Sequence, residues 1–148
     1  MSAKKPLVGT WQLLSWKNVD REDNTTYPFG EDAIGYVLYS EDGYMSTTLM
    51  TANRPKFETD DVLGGTTEER ARAEKTYVAY CGKYEINENK VTHHIKASLF
   101  PNWVGVNQER FFAFTDEKLT LSTDLILIDG KLQKAYLIWK RASLTQPT

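Results

Sequence analysis

The sequence has few of the residues on which cross-links and metal sites depend. Cys81 is its only cysteine, so an internal disulfide is excluded, and so is a zinc site built on several thiolates. His93 and His94 are the only histidines, so any imidazole that acts as a base near neutral pH is one of these two. Side chains of neighbouring strand residues point to opposite faces, so this pair is not expected to chelate one metal ion.

Long apolar runs and an excess of positive charge are missing as well. No segment approaches the roughly 20 apolar residues that span a bilayer, and the first residues lead into a strand-like segment without a signal-peptide core. Eighteen Lys and Arg against twenty Asp and Glu leave a formal charge of −2, which is too little positive charge to hold a phosphate backbone. We therefore expect a cytoplasmic protein that binds neither membranes nor nucleic acid.

Sequence motifs of the common cofactor sites are absent too. The chain has no Gly-rich phosphate loop, no Gly-x-Ser-x-Gly, no His-Glu-x-x-His and no dinucleotide fingerprint, so we predict neither a cofactor nor a metal ion.

Its 148 residues are expected to form one domain over 1–148, with an ordered core at about 7–142 and a disordered tail from Thr145 to Thr148.

Turn signals divide most of the chain into short segments rich in β-branched and aromatic residues. Asp42-Gly43, Asn87-Glu88-Asn89, Thr115-Asp116-Glu117 and Asp129-Gly130 are typical of hairpin turns. The predicted strands are Val8 to Asn18, Ile34 to Tyr39, Tyr44 to Met50, Gly82 to Asn87, Lys90 to Leu99, Val106 to Thr115, Lys118 to Ser122, Leu125 to Ile128 and Lys134 to Arg141. An N-cap pattern at Thr66 predicts one helix, at about 66–80, after a long connection from Thr51 to Gly65.

Many antiparallel strands and one helix are compatible with a sandwich or with a closed barrel. Consecutive hairpins favour an all-β, eight- to nine-stranded antiparallel up-and-down barrel, with the helix capping or flanking it. Such a barrel is wide enough to hold one small ligand. Aromatic residues make up 12% of the chain, which suits the wall of a lined cavity.

The two ends of this predicted barrel carry a known pattern. Gly9-Thr10-Trp11 opens the first strand and Trp139-Lys140-Arg141 closes the last. This resembles the lipocalin and fatty-acid-binding barrels, in which a basic residue packs over the first-strand Trp. The resemblance therefore implies structural roles for Trp11 and Arg141, joined by a cation–π contact.

The middle of the chain resembles a narrower group, the intracellular bacterial and fungal lipocalin-like domain proteins. The residues that carry this likeness are Tyr27-Pro28-Phe29-Gly30, Ile34-Gly35-Tyr36, Asp42-Gly43-Tyr44-Met45-Ser46, Asn53-Arg54-Pro55, Tyr80-Cys81-Gly82-Lys83-Tyr84, His93-His94 and Phe100-Pro101-Asn102-Trp103-Val104-Gly105. The likeness covers roughly Leu7 to Arg141. It implies the fold, while the chemistry has to be inferred from the site itself.

His93 is either a core histidine satisfied by a buried partner, or a base or ligand contact. It shares its strand face with Val91, Ile95, Ala97 and Leu99, so this face is expected to point inward and the face of Thr92, His94, Lys96 and Ser98 outward. Arg110 is the second candidate. If the face of Gln108, Arg110, Phe112 and Phe114 points inward, Arg110 is free to clamp an oxygen anion; if the face of Asn107, Glu109, Phe111 and Ala113 does, it lies in solvent.

Other candidates for ligand contacts come from the long connection, the helix, the strands and a loop. Arg54 could reach over the cavity mouth or lie in solvent as a loop arginine. Tyr77 and Tyr80 lie one turn apart on the predicted helix and could roof the pocket or serve ordinary amphipathic packing. Tyr36, Tyr44 and Tyr84 are strand tyrosines of which some are expected to line the interior, and Trp103 either gates the rim or closes a minor core.

Three functions are compatible with these residues. The first is binding of a small, largely apolar molecule, aromatic or polyketide-like, in the barrel. The second is a cofactor-independent isomerase, cyclase or dehydratase, in which His93 removes a proton beside a carbonyl and Arg110 or a Tyr hydroxyl stabilises the enolate. The third is a filled barrel whose aromatic loops bind a partner protein or a second copy of the chain, as in a homodimer.

Overall fold

Ten antiparallel strands form one sheet that closes on itself. The computed structural model describes residues 6–142, so the predicted disordered tail lies outside the described residues. The strands are β1 Gly9–Asp20, β2 Thr25–Thr26, β3 Ile34–Tyr39, β4 Tyr44–Met50, β5 Tyr77–Asn87, β6 Lys90–Ser98, β7 Asn107–Thr115, β8 Lys118–Ser122, β9 Ile126–Ile128 and β10 Lys131–Arg141.

Eight of these strands make the closed barrel. They follow one another in the order β1-β3-β4-β5-β6-β7-β8-β10, and β10 pairs back onto β1. The short β2 and β9 add to β1 and β10 at the ends of this order. The predicted eight- to nine-stranded barrel is therefore confirmed, with β2 as the strand that the sequence did not reveal.

The hairpin turns adopt the left-handed backbone that their sequences indicate. Gly43 between β3 and β4 has φ +98°, and Glu88 between β5 and β6 has φ 58°. Asp116 and Glu117, between β7 and β8, have φ 52° and 64°. Two consecutive positive φ values match the right-handed twist of the flanking strands, so these two residues form a tight hairpin.

One end of the barrel is closed around Trp11. The indole is buried and its Nε1–H donates to the carbonyl of Leu7 at 2.9 Å. The guanidinium of Arg141 lies 4.1 Å from the centroid of this indole and also donates to the carbonyls of Pro6 and Val8. A cation over an aromatic face, tied to the preceding backbone, seals this end against water.

The helix is shorter than predicted. It spans α1 Thr67–Lys75, and the capping box of Thr66 and Glu69 forms as expected. The predicted end at about Tyr80 is wrong, because Tyr77 already begins β5 and pairs with Met50 of β4. No residue of α1 is buried, so little packing energy favours a longer helix, whereas the sheet buries Tyr80. The end of α1 flanks the barrel mouth.

Candidate functional site

The barrel encloses a cavity of about 1010 Å³ that opens at the end opposite Trp11. Its mouth lies between the end of α1, a 3₁₀ turn at Pro101–Trp103 and β9. Most of the wall is aromatic or aliphatic, as in binding sites for small apolar molecules. These wall residues include Trp16, Phe29, Val37, Leu49, Val78, Leu99, Phe100, Trp103, Leu121, Ile126, Leu137 and Trp139.

His93 projects into this interior from β6 and is fully enclosed. Its Nε2 lies 2.7 Å from the hydroxyl of Tyr39, and its Nδ1 lies 2.9 Å from the hydroxyl of Tyr80. Tyr39 and Tyr80 are 1% and 8% exposed, so this chain of two hydrogen bonds is shielded from water. His93 and Tyr80 line the cavity, whereas Tyr39 lies behind them.

Burial controls the protonation of all three groups. Desolvation, helped by the charges of Arg110 and His94, lowers the pKa of His93 to about 3. Desolvation also raises the pKa of Tyr39 well above its usual value of 10.0 and raises that of Tyr80. The charge of Arg110, and hydrogen bonding between its guanidinium and the Tyr80 hydroxyl, partly oppose the rise at Tyr80. Near neutral pH the imidazole and both phenols are therefore uncharged.

Arg110 belongs to the inward face of β7, which answers the question that the sequence left open. All four residues from 107 to 110 border the cavity, but Gln108 and Arg110 are half-buried, whereas Asn107 and Glu109 are exposed. The Arg110 Nη2 donates to the Gln108 side-chain oxygen at 2.6 Å, and its Nη1 donates to the Glu109 carbonyl at 3.0 Å. Within residues 6–142, no carboxylate comes within ion-pair distance of this guanidinium.

Trp103 and Trp139, two of the three tryptophans in the cavity wall, contribute to it in different ways. Trp103 stands edge-on to Tyr80, with ring centroids 5.6 Å apart, and forms part of the mouth beside Phe100. Trp139 lies deeper in the wall and is 1% exposed. In the described part of the chain its indole Nε1–H finds no hydrogen-bond acceptor. Phe112 lies on the same inward face as Arg110, but it packs against Phe114 and the core and does not line the cavity.

The strand tyrosines take positions that correct the prediction. Tyr36 and Tyr44 are 37% and 50% exposed and point to the outer surface, because Val37 and Met45 occupy the inward positions beside them. Tyr84 points inward, but it lies below the cavity and donates to the carbonyl of Ser40. Sequence reasoning missed Tyr39, although it shares the alternating face of Gly35 and Val37 and this pattern marks it as inward.

Arg54 stabilises the structure at the edge of the mouth and does not line the cavity. Its Nη2 donates to the Ala73 carbonyl at 2.8 Å and its Nε donates to the Thr76 hydroxyl at 3.2 Å. The guanidinium lies 5.0 Å from the centroid of Tyr77. Tyr77 and Tyr80 both line the cavity, but they belong to the first residues of strand β5 and are not neighbours on a helix.

A β-bulge changes the predicted alternation of β6. Ile95 pairs with Gly82 and Ala97 with Cys81, so Lys96 is the extra residue. Val91, His93 and Ile95 face inward as expected, whereas Ala97 is exposed, which corrects its predicted position. His94 points outward, with Nδ1 2.8 Å from the Asn107 side-chain oxygen and Nε2 3.4 Å from a carboxylate oxygen of Glu85.

Residues 6–142 contain neither a cluster of metal-binding side chains nor a membrane-spanning helix. No group of three His, Cys, Asp or Glu side chains is placed to hold a metal ion. None of the helices there is long and apolar enough to cross a membrane.

Three known proteins are similar to this chain to different degrees. The chain is 35% identical over 106 residues to a 4'-hydroxy-3'-methoxypropiophenone carrier protein of Aspergillus oryzae, and the match covers 66% of this chain and 96% of that protein. An uncharacterised protein of Bacteroides eggerthii aligns with 14% identity and a TM-score of 0.44, over 90% of this chain and 98% of the other. A mutant of the fluorescent protein UnaG aligns with 14% identity and a TM-score of 0.42, over 95% and 99%. These TM-scores are too low for either structure to bear on the function.

The match to a protein family extends over nearly the whole barrel. The family described as "Lipocalin-like domain" matches residues 8–142, from the first strand to the end of the last. The chain belongs to the lipocalin-like domain family.

Proposed function

We propose that this protein binds a small, largely apolar molecule, aromatic or polyketide-like, in the barrel cavity. The observation that carries the proposal is the cavity of about 1010 Å³, with a mostly apolar wall into which Tyr80 and Arg110 bring polar groups. Pockets for small molecules share this composition, an apolar wall with a small number of placed polar groups. The carrier protein of Aspergillus oryzae supports an aryl ketone as the ligand class.

Binding is favoured over the isomerase, cyclase or dehydratase hypothesis by the surroundings of His93. Both ring nitrogens are engaged by tyrosine hydroxyls, and the pKa of the imidazole is lowered to about 3. A general base works best when its pKa lies near the operating pH. An imidazole with so low a pKa takes up protons poorly near neutral pH, which opposes proton abstraction from a ligand. We infer that His93 positions the two tyrosines.

A titration with 4'-hydroxy-3'-methoxypropiophenone tests the proposal. Isothermal calorimetry is expected to show one site, and the fluorescence of Trp103 and Trp139 in the wall is expected to change with the same midpoint. Leu121→Trp places a larger side chain in the cavity and is expected to weaken binding at least about 10-fold. Tyr36→Phe on the outer surface is the matched control and is expected to bind normally.

The variants must be folded for this comparison to count, so each melting curve is recorded first. Absence of binding to the native protein would contradict the proposal for this ligand class. Equal binding to Leu121→Trp and to the native protein would show that the ligand binds elsewhere.

A further inference from the structure

The hydrogens shared by Tyr39, His93 and Tyr80 can be counted. Near neutral pH, the two phenols carry one hydroxyl hydrogen each and the neutral imidazole carries one N–H. The three groups therefore hold three polar hydrogens, while only two hydrogen bonds join them. One hydrogen is left over. It must belong to the hydroxyl of either Tyr39 or Tyr80, and it must point away from His93.

The surroundings of the two tyrosines decide which hydroxyl points its hydrogen away from His93. Tyr39 is 1% exposed, does not line the cavity, and has its ring edge-on to Tyr84. In the part of the chain that the structure describes, its hydroxyl has His93 as its hydrogen-bond partner and no second acceptor. A buried hydroxyl hydrogen without an acceptor is costly. Tyr80 lines the cavity, where a ligand can accept its hydrogen.

This placement fixes the direction of both hydrogen bonds. The Tyr39 O–H donates to Nε2 of His93, and the Nδ1–H of His93 donates to the Tyr80 oxygen. The Tyr80 O–H is then free to point into the cavity. His93 thus acts as a positioning residue, and the imidazole is the Nδ1–H tautomer.

The groups beside Tyr80 are donors as well. Arg110 carries five N–H groups and no acceptor. Its hydrogen bonds to Gln108, to the Glu109 carbonyl and to the Tyr80 hydroxyl leave two of them for other partners. The Gln108 oxygen beside it accepts from the Arg110 Nη2, which leaves it one lone pair. Deeper in the cavity, Trp139 adds an indole N–H that has no acceptor within residues 6–142. The carboxylate residues that border the cavity, Glu74, Glu109, Asp124 and Asp129, are all exposed, and the Glu109 carboxylate lies 3.7 Å from Lys90 Nζ.

We propose that Tyr80 and Arg110 together bind an oxygen of the ligand that carries no hydrogen, either a conjugated carbonyl oxygen or a phenolate oxygen. Both oxygens only accept hydrogen bonds, and the guanidinium charge stabilises negative charge on either of them. A ligand hydroxyl fits this position less well, because the groups around it are mainly donors. The inference rests on the proposed function and narrows its ligand to molecules that carry such an oxygen.

The tautomer can be tested without any ligand. Nitrogen-15 NMR of the free protein distinguishes a protonated ring nitrogen from an unprotonated one. For His93 we expect hydrogen on Nδ1 and none on Nε2. Hydrogen on Nε2 would reverse both hydrogen bonds, turn the Tyr80 hydroxyl toward His93, and overturn the inference.

The ligand oxygen is tested with three probes by calorimetry. They are 4'-hydroxy-3'-methoxypropiophenone, its methyl ether with the phenol blocked, and its deoxy analogue with a methylene in place of the carbonyl. We expect one of the two analogues to bind about 10-fold more weakly than the parent, and Tyr80→Phe to remove that difference. The analogue that is affected identifies the oxygen, and Tyr36→Phe is again the control.

The outcomes of the probe experiment separate this inference from the proposed function. Equal affinity of the native protein for all three probes would overturn the role of Tyr80 and Arg110 while binding itself stands. The same conclusion follows if Tyr80→Phe weakens all three probes equally. If none of the probes binds, the proposed function fails for this ligand class, and the tautomer of His93 decides whether the donor assignment is right.

Discussion

Lowering the pH is expected to destabilise the protein through His93. The pH range is one in which the carboxylates of the protein contribute little to the change in stability. The pKa of this imidazole is about 3 in the folded protein, against an ordinary value of 6.5 that we take for the unfolded chain. Between these two values the unfolded chain holds a proton that the folded protein does not. The contribution of the neutral His93 to the free energy of unfolding is therefore complete above about pH 6.5 and is lost progressively as the pH falls toward about 3.

The size of the effect follows from the width of this range. Each pH unit inside it lowers the free energy of unfolding by about 1.4 kcal/mol, so the loss reaches ~2 kcal/mol at about pH 5. This is a large part of the ~5–15 kcal/mol that stabilises an ordinary domain. Asp20 and Glu69 also have lowered pKa values, but both groups lose their contribution only below their usual values of 3.8 and 4.5.

Urea unfolding at about pH 7 and about pH 5 measures this loss. His93→Gln removes the titrating group and is expected to show a much smaller difference between the two conditions. His94→Gln, at the outward-facing neighbour, is the matched control and is expected to keep the difference of the native protein. An equal loss in the native protein and in His93→Gln would refute the reasoning, as would disappearance of the loss in His94→Gln.

Two further predictions concern the stability of the barrel. A Cβ atom at Gly82 would lie 1.9 Å from the carbonyl oxygen of His94, so Gly82→Ala is expected to lower the free energy of unfolding by at least ~3 kcal/mol or to prevent folding. Cys81→Ala, at the neighbouring residue, is expected to lower it by less than ~1.5 kcal/mol. Equal unfolding free energies of the two variants would contradict this account of the bulge. Arg141→Ala removes the cation over Trp11 and two hydrogen bonds to backbone carbonyls. The free energy of unfolding in urea is therefore expected to fall by about 1–3 kcal/mol. An unchanged unfolding midpoint would show that packing alone closes this end of the barrel.

The barrel was predictable because its signals are local. Each tight turn places a left-handed residue between two strands, and closure follows from consecutive hairpins. The turn at Asp116 and Glu117 carried more information than the prediction used. It pairs Thr115 with Lys118, which places Phe112 opposite Leu121. Since the apolar positions of β8 must face the core, this register already turns Arg110 inward.

The errors arose where distant parts of the chain determine local structure. The residues at 77–80 follow an Ala-containing helical run, but pairing with β4 makes them a strand. The bulge at Lys96 depends on the absence of a side chain at Gly82, on the neighbouring strand. Arg54 was expected at the cavity because the sequence does not show that the end of α1 offers it the carbonyl of Ala73. None of these contacts leaves a periodic pattern in the sequence.

The most direct test of the central claim is a crystal structure of the protein with 4'-hydroxy-3'-methoxypropiophenone. We expect the molecule inside the barrel, with its ring between the aromatic walls and one oxygen within hydrogen-bond distance of the Tyr80 hydroxyl and the Arg110 guanidinium. A ligand bound on the outer surface, or a barrel interior filled by its own side chains, would contradict the account.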